Sequence, residues 1–480
     1  MLFTSLEFLL LFLPVVIVIN FVLPKFARNY WLLLASLAFY AWGEPRFVLV
    51  MIGSIVVNYI MALLVTRKPH EIAAGSGGRQ KFFLAVAVLL NLGVLFVYKY
   101  LNFTTGTLRS AFPGLQESIP QTEFILPIGI SFFTFQAMSY VIDVYRGVPV
   151  QKNVFNVGLY VSLFPQLIAG PIVRYTTVEK QIRKRKITFS GFSNGVMRFL
   201  YGFNKKMLLA NTLANVADAA FASTELSTGM AWVGIISYTL QIFYDFCGYS
   251  EMAIGLGQML GFNFLENFNY PYISKTITEF WRRWHISLGS WFRDYVYFPM
   301  GGSRVKSGFR LVCNLAVVWL ATGVWHGANW TFILWGALYG VIIIFEKLTQ
   351  LPKRLPRYKL ASGIYQIFTL LAVMLGWVLF RAESLTAAFE YLKDMFAVGG
   401  GQLIDDAARF NLREYIVPLI VGIVCATPIF KILREKVSAR SALAENVWGF
   451  AAGLVQLALF MVGISYLVIN AHNPFIYFNF

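Results

Sequence analysis

Two histidines, His285 and His326, lie in aromatic and apolar surroundings where an imidazole could do chemistry. His326 follows an apolar stretch that begins at Leu311, and His285 follows Trp281 and Trp284 in a segment rich in tryptophan and arginine. An imidazole has an unperturbed pKa of about 6.5, so it can take a proton from a hydroxyl group near neutral pH. The sequence therefore predicts a proton-transfer site at these histidines, and a hydrogen-bonded structural role is the alternative for each.

The composition is that of an integral membrane protein. Of the 480 residues, 58% are hydrophobic and 13% are charged, and the mean hydropathy is +0.63. A soluble domain is about half apolar and a quarter charged, so this chain carries more apolar surface than one soluble core can bury. We therefore predict an all-α polytopic membrane protein, because helices satisfy their own backbone groups inside a bilayer.

Apolar segments of about the length that spans a bilayer recur along the chain. We predict about twelve transmembrane helices, near Leu6 to Leu23, Tyr30 to Trp42, Phe47 to Val65, Phe82 to Tyr98, Phe124 to Ile142, Phe192 to Val216, Trp232 to Phe262, Leu311 to Trp325, Trp330 to Phe345, Ile364 to Phe380, Ile416 to Phe430 and Trp448 to Ile469. The stretch Leu159 to Pro171 is shorter and is interrupted by Pro165 and Gly170, which predicts a re-entrant segment buried in protein.

Positive charge is concentrated in alternate connections between these segments. The positive-inside rule places the basic connections in the cytoplasm and both termini outside. His285 then lies on the cytoplasmic side and His326 toward the outer half, at opposite sides of one predicted span. The net charge of +17 is explained by this bias and by attraction to anionic lipid headgroups, so nucleic acid is not a predicted partner.

The segment from Phe280 to Tyr295 predicts one amphipathic helix with tryptophans along one face. Two interpretations stay open. In the first it is an interfacial helix whose arginines meet lipid phosphate. In the second it is a substrate-binding segment, and Arg282, Arg283 and Arg174 receive phosphate groups of a substrate, for which arginine is suited.

Further polar residues near the histidines add to the predicted site. Asn329 and Trp330 could donate hydrogen bonds to a developing oxyanion, although an interfacial aromatic belt is the alternative for Trp325 and Trp330. Asp245 lies within an apolar run, so it must be paired, protonated or facing water. The three cysteines show no pairing pattern, and neither a metal site nor a disulfide is predicted.

The two histidine strings resemble the motifs of a known family. Trp281-Arg282-Arg283-Trp284-His285-Ile286-Ser287-Leu288 and Trp325-His326-Gly327-Ala328-Asn329-Trp330 resemble the two histidine motifs of the membrane-bound O-acyltransferases (MBOAT). Supporting strings run along the chain at Tyr40 to Gly43, Leu126 to Gln136, Leu167 to Ile172, Asp245 to Ser250 and Phe380 to Ser384. Their order is similar to that in the bacterial polysaccharide O-acetyltransferase branch, which includes the alginate O-acetyltransferase membrane subunit and D-alanyl-transferring relatives.

The resemblance implies both a fold and a reaction. The implied MBOAT fold has re-entrant and interfacial helices, besides the spans, around a central tunnel. The implied enzyme moves an acetyl group from a cytoplasmic thioester such as acetyl-CoA to a hydroxyl outside the bacterial inner membrane, for O-acetylation of an exopolysaccharide or cell-wall glycan. His326 would be the catalytic histidine and His285 a cytoplasmic accessory, with Trp281, Arg282, Arg283, Trp325, Asn329 and Trp330 around the substrate. No bound cofactor or metal is expected, and the partners would be extracytoplasmic acetyltransferase proteins, a polysaccharide acceptor and membrane lipid.

The C-terminal string Asn473 to Phe480 is rich in aromatic residues around Tyr477. It resembles the short aromatic motif of the D-alanylation systems, in which a central tyrosine acts as an acyl carrier. Tyr477 would then take the acetyl group as an ester, and its phenol, with a pKa near 10, would need a base to attack. The alternative is an aromatic belt that anchors the last helix.

We predict a single membrane acyltransferase domain over residues 1–480. Its parts would be N-terminal helices in 1–150, a core with both histidine motifs in 151–350, and C-terminal helices with the aromatic tail in 351–480. The alternative function is a transporter of polysaccharide or of a lipid-linked substrate, without acyl-transfer chemistry. Transporters often contain two-fold repeats, whereas the two halves of this sequence show no self-similarity.

Overall fold

The computed structural model describes residues 1–68, 77–168, 170–398, 400–469 and 472–474. Within these ranges the chain is all helical and forms no β-strand, which confirms the predicted fold class. In chain order the α-helices are α1 Leu13–Val22, α2 Arg28–Gly43, α3 Val48–Val65, α4 Gly78–Leu95, α5 Leu101–Ala111, α6 Ile130–Tyr145, α7 Val154–Ser162, α8 Phe164–Leu167, α9 Tyr175–Arg183, α10 Phe189–Asn204, α11 Asn211–Ala222, α12 Thr228–Met259, α13 Ile277–Arg283, α14 Ile286–Phe292, α15 Gly308–His326, α16 Trp330–Leu348, α17 Leu351–Arg354, α18 Lys359–Arg381, α19 Leu385–Met395, α20 Asp406–Cys425, α21 Ile429–Ser438 and α22 Ala442–Val468. Four π-helical stretches adjoin these helices, at Glu7–Phe12, Phe96–Tyr100, Lys205–Ala210 and Arg293–Tyr297.

Several helices are long and apolar enough to cross a membrane. In the described part of the chain there are six, namely Val48–Val65, Gly78–Ala111, Gly308–His326, Trp330–Leu348, Lys359–Arg381 and Ala442–Val468. The pair α20 and α21, bent by 57°, would form a seventh. The protein is therefore a multi-pass membrane protein, and the count of about twelve crossings stays a prediction.

The chain divides into two compact units. The first comprises Met1–Phe199 with Met252–Leu265, and the second comprises Leu200–Glu251 with Glu266–Phe480. Both histidine strings belong to the second unit. The predicted division of a single domain near residues 150 and 350 has other boundaries and stays a prediction.

In the first unit, the stretch predicted to be re-entrant is broken into two short helices. Helix α7 ends at Ser162 and α8 begins at Phe164, with Leu163 between them in a non-helical conformation. Pro165 lies in the first turn of α8, where its missing N–H needs no partner. The residues from Val157 to Ile168 are buried, so this broken backbone is covered by protein, as the prediction requires.

In the second unit, helices α15 and α16 approach each other at two glycines. A Cβ on Gly336 would lie 2.5 Å from the backbone oxygen of Trp319 and 3.1 Å from the Cα of Gly323. A Cβ on Gly323 would in turn overlap the backbone oxygen of Phe332. Small residues allow helix backbones to pack this closely in membrane proteins. The contact fixes the relative position of the helices that carry His326 and Trp335.

We expect Gly336→Ala to destabilise the protein because its methyl group cannot fit at this crossing. Overpacking of this kind lowers the free energy of unfolding by about 1–3 kcal/mol. Thermal unfolding in detergent, followed by size-exclusion chromatography, measures the loss. The control is Gly363→Ala in α18, where an added Cβ meets no atom within 4 Å. Equal melting temperatures for both variants would show that the close approach is not required.

Candidate active site

Helix α13 carries Trp281, Arg282 and Arg283, and side chains fix its N-terminus. The Thr276 hydroxyl accepts a hydrogen bond from the backbone N–H of Glu279 at 3.1 Å. The carboxylate of Glu346, fully buried on α16, accepts the backbone N–H groups of Ile277 and Thr278, each at 2.8 Å. An anion at a helix N-terminus also interacts favourably with the helix dipole.

Glu346 was missed by the sequence analysis. It follows directly on the predicted span Trp330 to Phe345. A carboxylate at the end of a span indicates a group that faces the protein interior and has a partner there. The Tyr365 hydroxyl also donates to this carboxylate, at 3.1 Å. Glu346 therefore joins α13 to the membrane-capable helices α16 and α18.

The prediction of one continuous helix from Phe280 to Tyr295 is wrong. Helix α13 ends at Arg283 and α14 begins at Ile286, because His285 has a φ of +46°, in the left-handed region. Such a conformation persists in a non-glycine residue only when its surroundings hold it. Here the backbone oxygen of Asn267 accepts the N–H of Ile286 at 3.0 Å, and its side-chain Oδ1 accepts the N–H of Ser287 at 3.2 Å.

The His285 side chain is buried and is held by the same asparagine. Its Nδ1 lies 3.2 Å from the Oδ1 of Asn267, and the ring packs edge-on against Phe246 with centroids 4.6 Å apart. Burial lowers the pKa of His285 to about 3, because desolvation disfavours the imidazolium. The ring is therefore neutral at physiological pH.

His326 is the last residue of α15, and the chain turns sharply after it. Gly327 is extended, and a Cβ on it would overlap the ring of Phe332. Asn329 then caps α16, because its Oδ1 accepts the backbone N–H of Thr331 at 3.1 Å. This turn holds the buried His326 ring against Trp335, with centroids 5.0 Å apart.

The structure brings the two histidines together on one tryptophan. The Trp325 ring lies 6.1 Å from the His285 ring and 5.0 Å from the His326 ring, measured between centroids. The prediction that a whole span separates the histidines is therefore wrong. His285, between α13 and α14, packs against Trp325 at the C-terminal end of α15, where His326 also lies. The aromatic-belt alternative is also wrong for Trp325, which is 4% exposed. Trp330 is half exposed, as a belt residue would be.

Aromatic rings of several helices surround the histidines. We call this set the aromatic cluster; it comprises Trp281, Trp284, Trp319, Trp325, Trp335, Tyr339, Trp377 and Phe380. The Trp281 ring packs against Trp319, Trp335 and Tyr339, with centroids 5.0 to 5.3 Å apart. Trp281 is therefore partly buried and packs against the protein core, which the interfacial interpretation of its segment did not predict.

The other predicted binding residues have different surroundings. Arg282 is exposed, whereas Arg283 pairs with Glu279 at 2.9 Å and donates to the backbone oxygen of Asn269. Besides capping α16, the Asn329 amide donates to the backbone oxygen of Glu383 at 2.9 Å, and these contacts indicate a structural role. Arg174 belongs to the first unit, whereas the two histidine strings belong to the second.

Asp245 forms an ion pair with a residue that the sequence analysis did not identify. Its carboxylate lies 2.7 Å from the Nζ of Lys206, and both side chains are at most 2% exposed. Lys206 also donates to the Oδ1 of Asn211 at 2.7 Å. The additional hydrogen bond helps to offset the desolvation of a buried ion pair. The pairing accounts for the charge of Asp245 without a catalytic role.

Tyr477 lies outside the described residues. The chain just before it is anchored in the second unit, where His472 Nε2 lies 3.1 Å from the Oδ2 of Asp218. The Asn211 amide donates to the Oδ1 of Asn473 at 3.1 Å, and the Lys206 ammonium donates to the backbone oxygen of Pro474. The C-terminal segment is thus joined to helix α11 and to the buried Lys206–Asp245 pair.

Comparison with known proteins identifies the family. The family model described as MBOAT, membrane-bound O-acyltransferase family, matches residues 145–385, which include both histidine strings and all of the aromatic cluster. The chain belongs to the membrane-bound O-acyltransferase family. The protein is accordingly an O-acyltransferase with a multi-pass helical membrane fold, as the sequence motifs predicted.

Curated relatives of this acyltransferase match along most or all of its length. It is 44% identical to the probable alginate O-acetylase AlgI of Pseudomonas aeruginosa, over 88% of this chain and 79% of that protein. It is 38% identical to the protein of the same name from Azotobacter vinelandii, over 100% of each chain. It is 31% identical to the peptidoglycan O-acetyltransferase of Helicobacter pylori, over 100% of this chain and 98% of that protein.

We expect Glu346→Ala in this acyltransferase to release the N-terminus of α13 and lower stability. Two backbone N–H groups would lose a charged acceptor, and such hydrogen bonds contribute about 1.5–3 kcal/mol each. Glu346→Gln keeps one acceptor oxygen and should have an intermediate effect. Thermal unfolding in detergent measures both, and a Glu346→Ala protein as stable as the wild type would contradict this positioning role.

Proposed function

We propose that this enzyme moves an acetyl group from a thioester supplied in the cytoplasm to a hydroxyl outside the bacterial inner membrane. The final acceptor would be an exopolysaccharide or cell-wall glycan, which becomes O-acetylated. The proposal rests on one observation: the buried rings of His285 and His326 both pack against Trp325, inside the region that matches the family. The relatives named for alginate and for peptidoglycan support acetyl as the group and a glycan as the acceptor.

His326 is the proposed general base. The oxygen of the attacking hydroxyl, which is the phenol of Tyr477 in the relay proposed below, attacks the thioester carbon, so that a C–O bond forms and the C–S bond breaks. His326 takes the hydroxyl proton and returns it to the departing thiolate, which leaves the imidazole neutral at the end of the step. General-base assistance of this kind accelerates reactions about 10²- to 10⁴-fold. The aromatic cluster around His326 would exclude water, which limits hydrolysis of the thioester.

The proposed donor is acetyl-CoA or another acyl thioester, and no cofactor need be bound. The exposed Arg282, in the last turn of α13, is available to a phosphate group of such a donor. Trp281, next to it, packs into the aromatic cluster. Adjacent residues of one short helix would thus contact the phosphates and line the approach to the histidines.

Tyr477 is the proposed carrier of the acetyl group after it leaves the thioester. The contacts of His472, Asn473 and Pro474 support this role, because they anchor the chain three residues before Tyr477. The phenol oxygen would take the acetyl group with help from a base, and the resulting ester would pass it to an extracytoplasmic acetyltransferase partner. Both chain termini would lie outside, so the carrier is on the side of the glycan.

We expect His326→Ala to lower acetyl transfer at least about 10²-fold while the protein stays folded and inserted, because the general base is lost. The assay uses proteoliposomes with radiolabelled acetyl-CoA and follows label transferred to protein or released as acetate. His70→Ala, in a hydrophilic stretch of the sequence, is the matched control. Undiminished turnover in His326→Ala would refute the assignment, and a folded wild type inactive with its partners present would favour the transporter alternative.

We expect Tyr477→Phe to block polymer acetylation, without necessarily blocking hydrolysis of the thioester, because the phenol oxygen that would carry the ester is removed. Tyr466→Phe, on the partly exposed face of α22, is the control for loss of a tyrosine hydroxyl. Mass spectrometry of the wild type should locate the acetyl group on Tyr477. Full polymer acetylation by Tyr477→Phe would show that this residue is an aromatic anchor.

A further inference from the structure

The contacts of Asn267 determine which nitrogen of His285 carries the proton. Oδ1 of Asn267 faces the backbone N–H of Ser287 at 3.2 Å and the Ser287 hydroxyl at 2.9 Å. A backbone N–H can only donate, so the atom that faces it must be the amide oxygen. The Nδ1 of His285 faces the same oxygen at 3.2 Å and the Ser287 hydroxyl oxygen at 3.4 Å. Because the one hydroxyl proton of Ser287 goes to Asn267 Oδ1, both neighbours of Nδ1 are acceptors, and Nδ1 donates to the amide oxygen. The neutral ring is then the Nδ1–H tautomer, with its lone pair on Nε2.

The Nε2 of His285 is an open hydrogen-bond acceptor within the described residues. The atom is buried and has no hydrogen-bond partner there. Burying an acceptor without a partner costs about 1–3 kcal/mol, and an unsatisfied group in a native structure calls for an explanation. The neighbouring rings of Phe246 and Trp325 form part of the same interior as His326. The open acceptor therefore lies where the reaction is proposed to occur.

We propose that Asn267 is a positioning residue that holds His285 as the Nδ1–H tautomer, so that Nε2 accepts a hydrogen bond from an O–H or N–H group of the bound substrate. The inference rests on the proposed acyl transfer and extends it to a residue outside both histidine strings. An O–H donor would be a hydroxyl of the acceptor other than the attacking one, whose proton goes to His326. An N–H donor would be an amide of the thioester's carrier arm.

The acids on elements packed near His285 already have basic partners. On α12, Asp245 pairs with Lys206 and Glu251 with Lys205. On α13, Glu279 pairs with Arg283, and His326 lies beyond Trp325 on α15. Glu266, next to Asn267 in the chain, is exposed. Burial is accordingly the cause that lowers the pKa of His285. A carboxylate introduced at position 267 would lie beside an imidazole that pairs with no acid among the described residues.

The test is the pH profile of acetyl transfer by Asn267→Asp. A carboxylate at this position can accept the same hydrogen bonds, but it stabilises the imidazolium and so raises the pKa of His285. Because protonation turns Nε2 from an acceptor into a donor, activity should be lost as pH falls through the raised pKa. We expect a loss of about tenfold or more at pH 6, as for one lost hydrogen bond to a reacting group, and near wild-type activity at alkaline pH. Asn269→Asp places the same charge at an exposed position two residues away and should leave the profile unchanged.

Kinetic constants distinguish the two sources of the donor group. A raised KM for the thioester at low pH would indicate an N–H group of the carrier arm, whereas a lowered kcat with unchanged KM for the thioester would indicate a hydroxyl of the acceptor. An Asn267→Asp profile that coincides with the wild type, or that falls by the same factor at every pH, would overturn the proposal. An inactive wild type would instead count against the proposed function.

A measurement on the wild-type protein makes the test independent of variant folding and of activity. Nitrogen-15 NMR of histidine-labelled protein in nanodiscs distinguishes protonated from unprotonated ring nitrogens, and comparison with His285→Gln assigns the signals. We expect a protonated Nδ1 and an unprotonated Nε2 for His285 at pH 7. The opposite tautomer would overturn the role given to Asn267.

Discussion

The close backbone contact of α15 and α16 is the constraint on which the site depends. At Gly323 and Gly336 there is no room for a side chain, so the two helices present Trp319, Trp335 and Tyr339 toward a common region. Trp281 of α13 packs on those three rings, and His326 packs on Trp335. In a bilayer, where hydrophobic association between helices is weak, such van der Waals packing supplies much of the stability. The same packing gives the two imidazoles fixed surroundings.

Three polar side chains inside this apolar unit have specific partners. Glu346 accepts two backbone N–H groups of α13, Asp245 pairs with Lys206, and Asn267 holds the strained backbone and the ring of His285. Each of these groups would be costly to bury alone. Glu346 and Asn267 hold the short broken segment, α13 and α14, and Glu346 joins it to a helix that is long enough to cross a membrane.

Much of the architecture could be predicted from the sequence, because it follows from composition and local pattern. The helical membrane fold, the family and the break near Pro165 are of this kind. The apolar setting of Asp245 left it paired, protonated or facing water, and the structure pairs it with Lys206. The arrangement of the site could not be predicted in the same way. Helical periodicity favours one helix through His285, yet the left-handed backbone there is held by Asn267, eighteen residues earlier in the chain.

The same limit applies to residues whose contacts come from distant elements. Glu346 caps a helix about seventy residues away, and no local pattern connects it with Ile277. Trp325 has the sequence context of a membrane-interface residue, but the contacts of His285 and His326 show it in the interior. The separation of the two histidines was misjudged because hydropathy places residues relative to a membrane and does not show how helices pack.

A structure of the wild-type protein with a non-hydrolysable acetyl thioester analogue, determined by cryo-electron microscopy in nanodiscs, tests the central claim most directly. The central claim is that His285 and His326 form one acyl-transfer site on Trp325. The account predicts the carbonyl group of the analogue within hydrogen-bonding reach of an imidazole, inside the aromatic cluster. An analogue bound away from this cluster, or histidines separated by the thickness of the membrane, would contradict it.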